Sequence, residues 1–161
     1  MAYASFWSKQ IGNFRSNGFI DFNKKSTKSN VKSMIEPLTH RGPDGDAMGS
    51  SMAIYNLLVN LKKDVNVIIP NSYPNFLNWL PNVENVINHE ENNSNISKLF
   101  NKVDVIIMLD FNDLSRIQNL ESFVSNSKAK KILVDHHQDP DLSICDLSFC
   151  DTTYSSTCEL L

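Results

Sequence analysis

A chain of 161 residues with 41% apolar and 20% charged side chains has the make-up of a folded domain with one core, not of a disordered or membrane chain. Its formal net charge of −3 argues against a broad basic face that grips long nucleic acid by counterion release, while short or small anionic substrates stay compatible. Three cysteines, Cys145, Cys150 and Cys158, are odd in number and lack a C-x-x-C spacing, so reduced thiols fit better than a disulfide framework or a zinc site.

In chain order, residues 1–35 mix aromatics with Lys, Asn and Ser and carry neither the apolar stretch of a secretory signal nor a nameable motif; their role is unassigned and a cytoplasmic location is the default expectation. No apolar run reaches the length of a membrane span. The segment Ser33–Thr39 is the strand that should deliver His40, yet it contains Glu36 and Pro37, and proline cannot donate to a central ladder, so a distorted strand is expected. Then comes His40-Arg41-Gly42-Pro43-Asp44-Gly45-Asp46, an H-x-x-x-D-x-D run that Gly and Pro fold into a tight loop. Asp46 can cap the next helix, Ala47–Leu61, which is apolar nearly all round and reads as a cover for a sheet, not a partner-binding stripe.

Val65–Ile69 and Val83–Ile87 read as strands, with a brief helix at Phe76–Leu80 between them. Asn88–Asn95 reads as a polar surface loop holding an exposed His89. Ile96–Lys102 and Asp113–Val124 read as helices. Val103–Asp110 and Lys131–His137 are short, β-branched and apolar until each ends in acid or histidine, the pattern of buried parallel strands. Alternating strands and helices predict an α/β fold: a doubly wound, mostly parallel sheet with helices on both faces. In such a sheet the functional crevice lies beyond the carboxyl ends of the strands, so clusters far apart in sequence converge there.

Three clusters are placed to do so: His40, Asp44 and Asp46; Asp110; and Asp135, His136 and His137. Alone, the first reads equally well as a solvated turn. Adjacent histidines closing an apolar strand seldom serve packing, and the three clusters together read as a metal site. Mixed imidazole and carboxylate ligation suits Mn²⁺, Mg²⁺, Fe²⁺ or Co²⁺ better than a thiolate-selected metal. Arg41 reads as loop surface, and Arg116 is spaced to pair with Asp113, with a reach towards the acidic centre as the alternative.

His40-x-x-x-Asp44-x-Asp46, Asp110 and Asp135-His136-His137 together resemble the DHH phosphoesterases. The stretches Asp44–Ser51, Leu109–Ile117 and Ser155–Leu161 look most like the branch that includes nanoRNase/pAp phosphatases. The resemblance covers His40 to Leu161 and implies an amino-terminal catalytic domain over residues 36–161. It further implies a pair of Mn²⁺ ions, with Mg²⁺ or Co²⁺ as alternatives. His40 and Asp44 would hold one ion, Asp46 and His136 the other, and Asp110 would bridge them. His137 would face the substrate phosphate, with Asp135 orienting its neighbours. Implied substrates are short RNA and 3′-phosphoadenosine 5′-phosphate; a RecJ-like single-strand exonuclease, an inorganic pyrophosphatase or a cyclic dinucleotide phosphodiesterase are the alternatives from the same superfamily. A homodimer is compatible, and no membrane or long-duplex partner is expected.

At the end of the chain, Ser156-Thr157-Cys158-Glu159 has the S-x-x-E form of a capping box and announces a helix. Only Leu160 and Leu161 follow, so the domain reads as truncated at its carboxyl end, with a further metal-binding Asp and a substrate-binding second domain expected downstream. A contrasting expectation is an incomplete domain that only binds metal.

Overall fold

The computed structural model describes residues 34–161, so expectations for residues 1–33 lie outside the described residues. Seven strands, all parallel, form one sheet: β1 (Met34–Thr39), β2 (Asp64–Val65), β3 (Ile68–Ile69), β4 (Ile87–Asn88), β5 (Val105–Leu109), β6 (Lys130–Asp135) and β7 (Leu147–Cys150). Their order is β4-β3-β1-β5-β6-β7, with β2 also on β1. The chain winds outward from β1 through β3 to β4, then crosses back to β5 and winds the other way through β6 to β7. The order therefore reverses between β1 and β5, which opens a crevice at their carboxyl ends. His40 directly follows β1 and Asp110 directly follows β5.

Both faces are covered, as expected of a doubly wound fold. On one face, Leu38, Ile68, Ile106, Met108 and Leu133 of the strands pack with Ile96 and Phe100 of α2 (Asn93–Phe100), with Ile117 and Leu120, and with Val124 of α3 (Glu121–Asn126). On the other side, Met48 and Met52 of α1 (Gly45–Asn60) pack with Val67, Ile69, Leu77 and Val83. Alternation of side chains along parallel strands puts β-branched and long apolar residues on both faces at once, which explains why β5 is buried from end to end.

Pro37 is accommodated by a break in its neighbour. Asn66 N donates to Ile35 O at 3.2 Å, so the odd-numbered residues of β1 bond towards β2 and β3, and Pro37 turns its missing donor the same way. Opposite it, the adjacent chain leaves the ladder: pairing runs Ile35↔Val65, stops, and resumes at Leu38↔Ile68. The strand expected over Val65–Ile69 is thus two short ones, while the β5 side stays paired from Ile35 to Thr39. The distortion lies beside β1 and leaves the approach to His40 regular.

Other boundaries differ from expectation for local reasons. Asp44, not Asp46, caps α1: its Oδ1 accepts from Asp46 N at 3.0 Å and Ala47 N at 3.1 Å. The outer side of α1 is left uncovered: Leu57, and Leu61 just past the helix end, are 49% and 56% exposed, while Ile54 and Leu58 beside them are buried. Val83–Asn85 is a 3-10 turn, and the strand is only Ile87–Asn88. Asn75–Leu77 forms a 3-10 turn where a brief helix is expected. In place of the helix expected over Asp113–Val124 there is a 3-10 stretch Leu114–Leu120, kinked within at Gln118 (φ 46, ψ −109), followed by α3. A last helix, α4 (Thr157–Leu160), forms behind the expected capping box: Ser156 Oγ accepts from Glu159 N at 3.0 Å, and Glu159 Oε2 accepts from Ser155 N at 3.0 Å.

One core group has no local explanation. Glu36 is fully buried, and neither carboxylate oxygen has a hydrogen-bond partner among the described residues. Burial pushes its pKa up to about 7.

Candidate metal centre

His40 is nearly buried, at 6% exposure. Its Nδ1 lies 2.9 Å from the Arg41 carbonyl oxygen, so Nδ1 carries the proton and donates, leaving the Nε2 lone pair for a ligand. That Nε2 faces Asp110 Oδ2 at 3.6 Å. The loop that follows turns through Gly42 at φ +65, a left-handed conformation that glycine adopts freely. Three contacts hold it: Gly42 N donates to Asn71 Oδ1 at 2.7 Å, Arg41 N donates to Arg116 O at 2.8 Å, and the Arg41 guanidinium pairs with Glu90. Arg41 is therefore a tether, not plain loop surface.

Asp110 sits at the centre, 2% exposed and at φ +64. A non-glycine residue in the left-handed region is uncommon and is held here because its N–H continues the sheet, donating to Val134 O at 3.1 Å. The turn sends its carboxylate into the crevice with two distinct sides. Oδ2 faces His40, while Oδ1 lies 3.6 Å from His136 Nε2 and 3.8 Å from His137 Nδ1, and accepts from Thr157 Oγ1 at 3.0 Å. Burial foremost, with the repulsion of Asp46, raises the Asp110 pKa against the opposing hydrogen bonds of His40 and Thr157.

Asp46 lies beyond that second side, with Oδ2 3.6 Å from His136 Nε2. Its two oxygens each accept a backbone N–H of the first turn of α4, from Thr157 and Cys158, both at 2.7 Å. Burial works against its ionised form, but the hydrogen bonds from Cys158 and Thr157 outweigh it and hold the carboxyl below its usual range. Each oxygen keeps a further lone pair, so these contacts orient Asp46 without exhausting it as a ligand. The helices α1 and α4 approach closely here: a Cβ at Gly49 would stand 2.8 Å from Cys158 Sγ.

His137 differs from its neighbour. Its Nδ1 is 2.7 Å from Asp135 Oδ1, and Asp135 is fully buried with its other oxygen unpartnered. The carboxylate fixes the ring with Nδ1 protonated, so Nε2 is the atom left to act on something else.

The donor set fits divalent cations. Ligand atoms of His40, Asp44 and Asp110 lie within 4.8 Å of one another, as do those of Asp110, His136 and His137. That second group contains His137 in place of Asp46; the His137 atom facing Asp110 is Nδ1, which is engaged by Asp135, whereas His40 turns its free Nε2 to Asp110, so the Asp46 carboxylate beside His136 is the better ligand. Among the described residues, the ion-pair partners of Asp46, Asp110 and Asp135 are all histidines. A buried carboxylate without a fixed cation calls for a mobile one, and mixed N/O donors suit a hard or borderline metal.

All seven residues expected to form the site, His40, Asp44, Asp46, Asp110, Asp135, His136 and His137, thus converge on one crevice. The chain matches the DHH family, N-terminal domain, over residues 35–161. It belongs to the DHH family. Members of that family are metal-dependent phosphoesterases. Among solved structures it is similar to an exopolyphosphatase-related protein from Bacteroides fragilis, at 39% identity and a TM-score of 0.78, over 80% of this chain and 38% of that one. The chain therefore spans well under half the length of that relative. No curated protein matches it.

Sequence reasoning missed Thr157, which contacts both Asp46 and Asp110; the capping-box signal marks the start of its helix but not where that start docks. His89, expected at the surface, is buried and packs edge-on to Phe123 at 5.9 Å, and burial lowers its pKa. It lies outside the cluster. The Asp113–Arg116 pair does not form, because Asp113 instead accepts from Ser115 N at 2.7 Å. No helix among the described residues is long and apolar enough to cross a membrane.

Proposed function

We propose that this chain carries the two-ion centre of a phosphoesterase acting on short oligoribonucleotides and 3′-phosphoadenosine 5′-phosphate, with Mn²⁺ as the working metal. The observation that carries this reading is the two-sided Asp110 carboxylate, with His40 on one side and His136 on the other, each at 3.6 Å. His40 and Asp44 would hold one ion with Asp110, and Asp46 and His136 the other with the same carboxylate. Bound there, divalent ions supply Lewis acidity at a phosphoryl group and lower the pKa of water.

The chain's own residues do the rest. Asp110, placed between the ligand pairs, sets their separation. Asp135 holds the His137 ring so that Nε2 can meet a phosphate oxygen, as a donor when the ring is protonated. The backbone N–H groups of Thr157 and Cys158 fix Asp46, and the Thr157 hydroxyl fixes Asp110, so both carboxylates are oriented before substrate arrives. A short, single-stranded substrate is consistent with the net charge of −3, because the local positive charge would come from the ions and not from a basic surface.

The match to the solved relative covers only 38% of that protein, which favours a second reading: these residues bind the ions, and turnover needs residues beyond the matched part. One assay separates the two. The purified chain is incubated with Mn²⁺ and either 3′-phosphoadenosine 5′-phosphate or a short RNA, beside an Asp110→Ala control. Hydrolysis that disappears in the control supports the first reading; Mn²⁺ binding without hydrolysis supports the second; absence of Mn²⁺ binding overturns both.

A further inference from the structure

The three histidines of the crevice are not held alike. His40 is oriented by the Arg41 carbonyl oxygen and His137 by the Asp135 carboxylate. Among the described residues, the partners of His136 are Asp46 and Asp110, each 3.6 Å from its Nε2, and the His137 ring, with centroids 4.6 Å apart. The two carboxylates belong to the ion site itself, so the place of His136 depends on the backbone that carries it.

That backbone runs at once into an exposed bend. Gln138 and Asp139 are both exposed, so burial does not pin them. Asp139 stands at φ +52 directly before Pro140, a place where a residue is normally extended, and a left-handed conformation there persists only where its surroundings hold it. Asn112 holds both ends of the bend. Its side-chain Nδ2 donates to Gln138 O at 2.9 Å, and its backbone carbonyl oxygen accepts from Asp141 N at 2.8 Å. Asn112 itself comes two residues after Asp110 and directly follows Phe111, which is fully buried in the core. The clamp therefore ties the segment that carries His136 and His137 to the segment that carries the central carboxylate, from a base anchored in the core.

We propose that Asn112 is a positioning residue: it clamps the bend after His137 and so keeps His136 facing Asp110 and Asp46, where the three together can hold an ion. This inference rests on the two-ion reading of the site. Its test titrates the whole chain with Mn²⁺, followed by calorimetry and electron paramagnetic resonance, for wild type, Asn112→Ala, Asn112→Leu, His136→Ala and the Asn112→Ala, His136→Ala double variant. Metal-free thermal midpoints are measured alongside. Asn112→Leu keeps the side-chain bulk without the amide donor, so it decides the matter if the alanine variant fails to fold.

Both Asn112 variants should keep one Mn²⁺ at wild-type affinity and hold the other roughly 10- to 100-fold more weakly, the scale of losing a group that orients a ligand. In the His136→Ala background, Asn112→Ala should add no further loss, because it acts through that ring. Wild-type affinity for both ions in the Asn112 variants would overturn the inference. So would an equal loss for both ions or failure of both variants to fold, each of which marks a general structural role, and so would a further loss in the double variant. In all of these cases a wild type that takes up two ions leaves the metal centre standing. A wild-type chain that takes up one Mn²⁺ or none would sink the two-ion reading and this inference with it.

Discussion

Asp110, directly after β5, and Glu36, inside β1, are both buried carboxyls belonging to the two central strand segments of one sheet, and burial raises the pKa of each. Their surroundings differ completely. Around Asp110 stand His40, His136, His137 and Thr157; at Glu36 neither oxygen has a hydrogen-bond partner among the described residues. A raised carboxyl pKa marks a site only where groups converge that can use its charge. Position explains the contrast: Asp110 lies beyond the end of β5, where the winding reverses, whereas Glu36 lies inside β1, paired in register with Ile106 of β5.

The largest expected effect falls on the site. Asp110→Asn should lower hydrolysis of 3′-phosphoadenosine 5′-phosphate by about 10³-fold or more, on the scale of losing a preorganised electrostatic group, and should weaken binding of both ions. A variant that keeps wild-type Mn²⁺ stoichiometry would break the comparison from the Asp110 side.

Glu36 is expected to act on stability alone. Its folded pKa of about 7 lies above the ordinary glutamate value of 4.5, so the folded protein holds the proton more tightly than the unfolded chain. Its contribution is then fully present below about pH 4.5 and is lost as pH rises through about 7, worth about 3 kcal/mol at most. Glu36→Gln should remove that slope, so chemical denaturation of wild type and variant should diverge across this window, with the variant more stable at pH 8. Parallel pH curves would show that the carboxyl has a partner after all, and a change in Mn²⁺ affinity would make Glu36 part of the site.

A smaller effect is expected at Asp135, whose carboxylate contacts His137 at 2.7 Å. Asp135→Asn should cut kcat by about 10- to 100-fold while Mn²⁺ binding persists, measured by steady-state kinetics beside calorimetry. Loss of metal instead would place His137 among the ligands. Smallest of all, Gly49→Ala should cost about 1 kcal/mol through overpacking against Cys158 Sγ, and the cost should vanish in a Cys158→Ala background. Equal cost in both backgrounds would show that it comes from elsewhere.

Much of the site was legible in the sequence because a parallel sheet turns clusters at strand ends into neighbours. The apolar runs before Asp110 and His136 mark buried strands directly, and those residues meet His40 and Asp44 where the winding reverses. What was not legible depended on chemistry that local sequence leaves open. Asp44 and Asp46 are both able to cap α1, and only the packing of α4, a helix more than a hundred residues further on, decides that Asp46 serves that helix instead. Pro37 signals trouble in a strand, but the neighbour that gives way to it is set by the direction of its missing N–H. The exposed Leu57 and Leu61 carry the same apolar signature as the buried Met48, Met52, Ile54 and Leu58, since a helix apolar nearly all round does not say which side faces the sheet.

The central claim is that one carboxylate joins two ion sites. Electron paramagnetic resonance of the chain titrated with Mn²⁺ tests it most directly. Wild type should take up a pair of ions with a spin-coupled spectrum, and Asp110→Asn should abolish the coupling. A wild-type spectrum of a single ion, or of ions with no coupling, would contradict it.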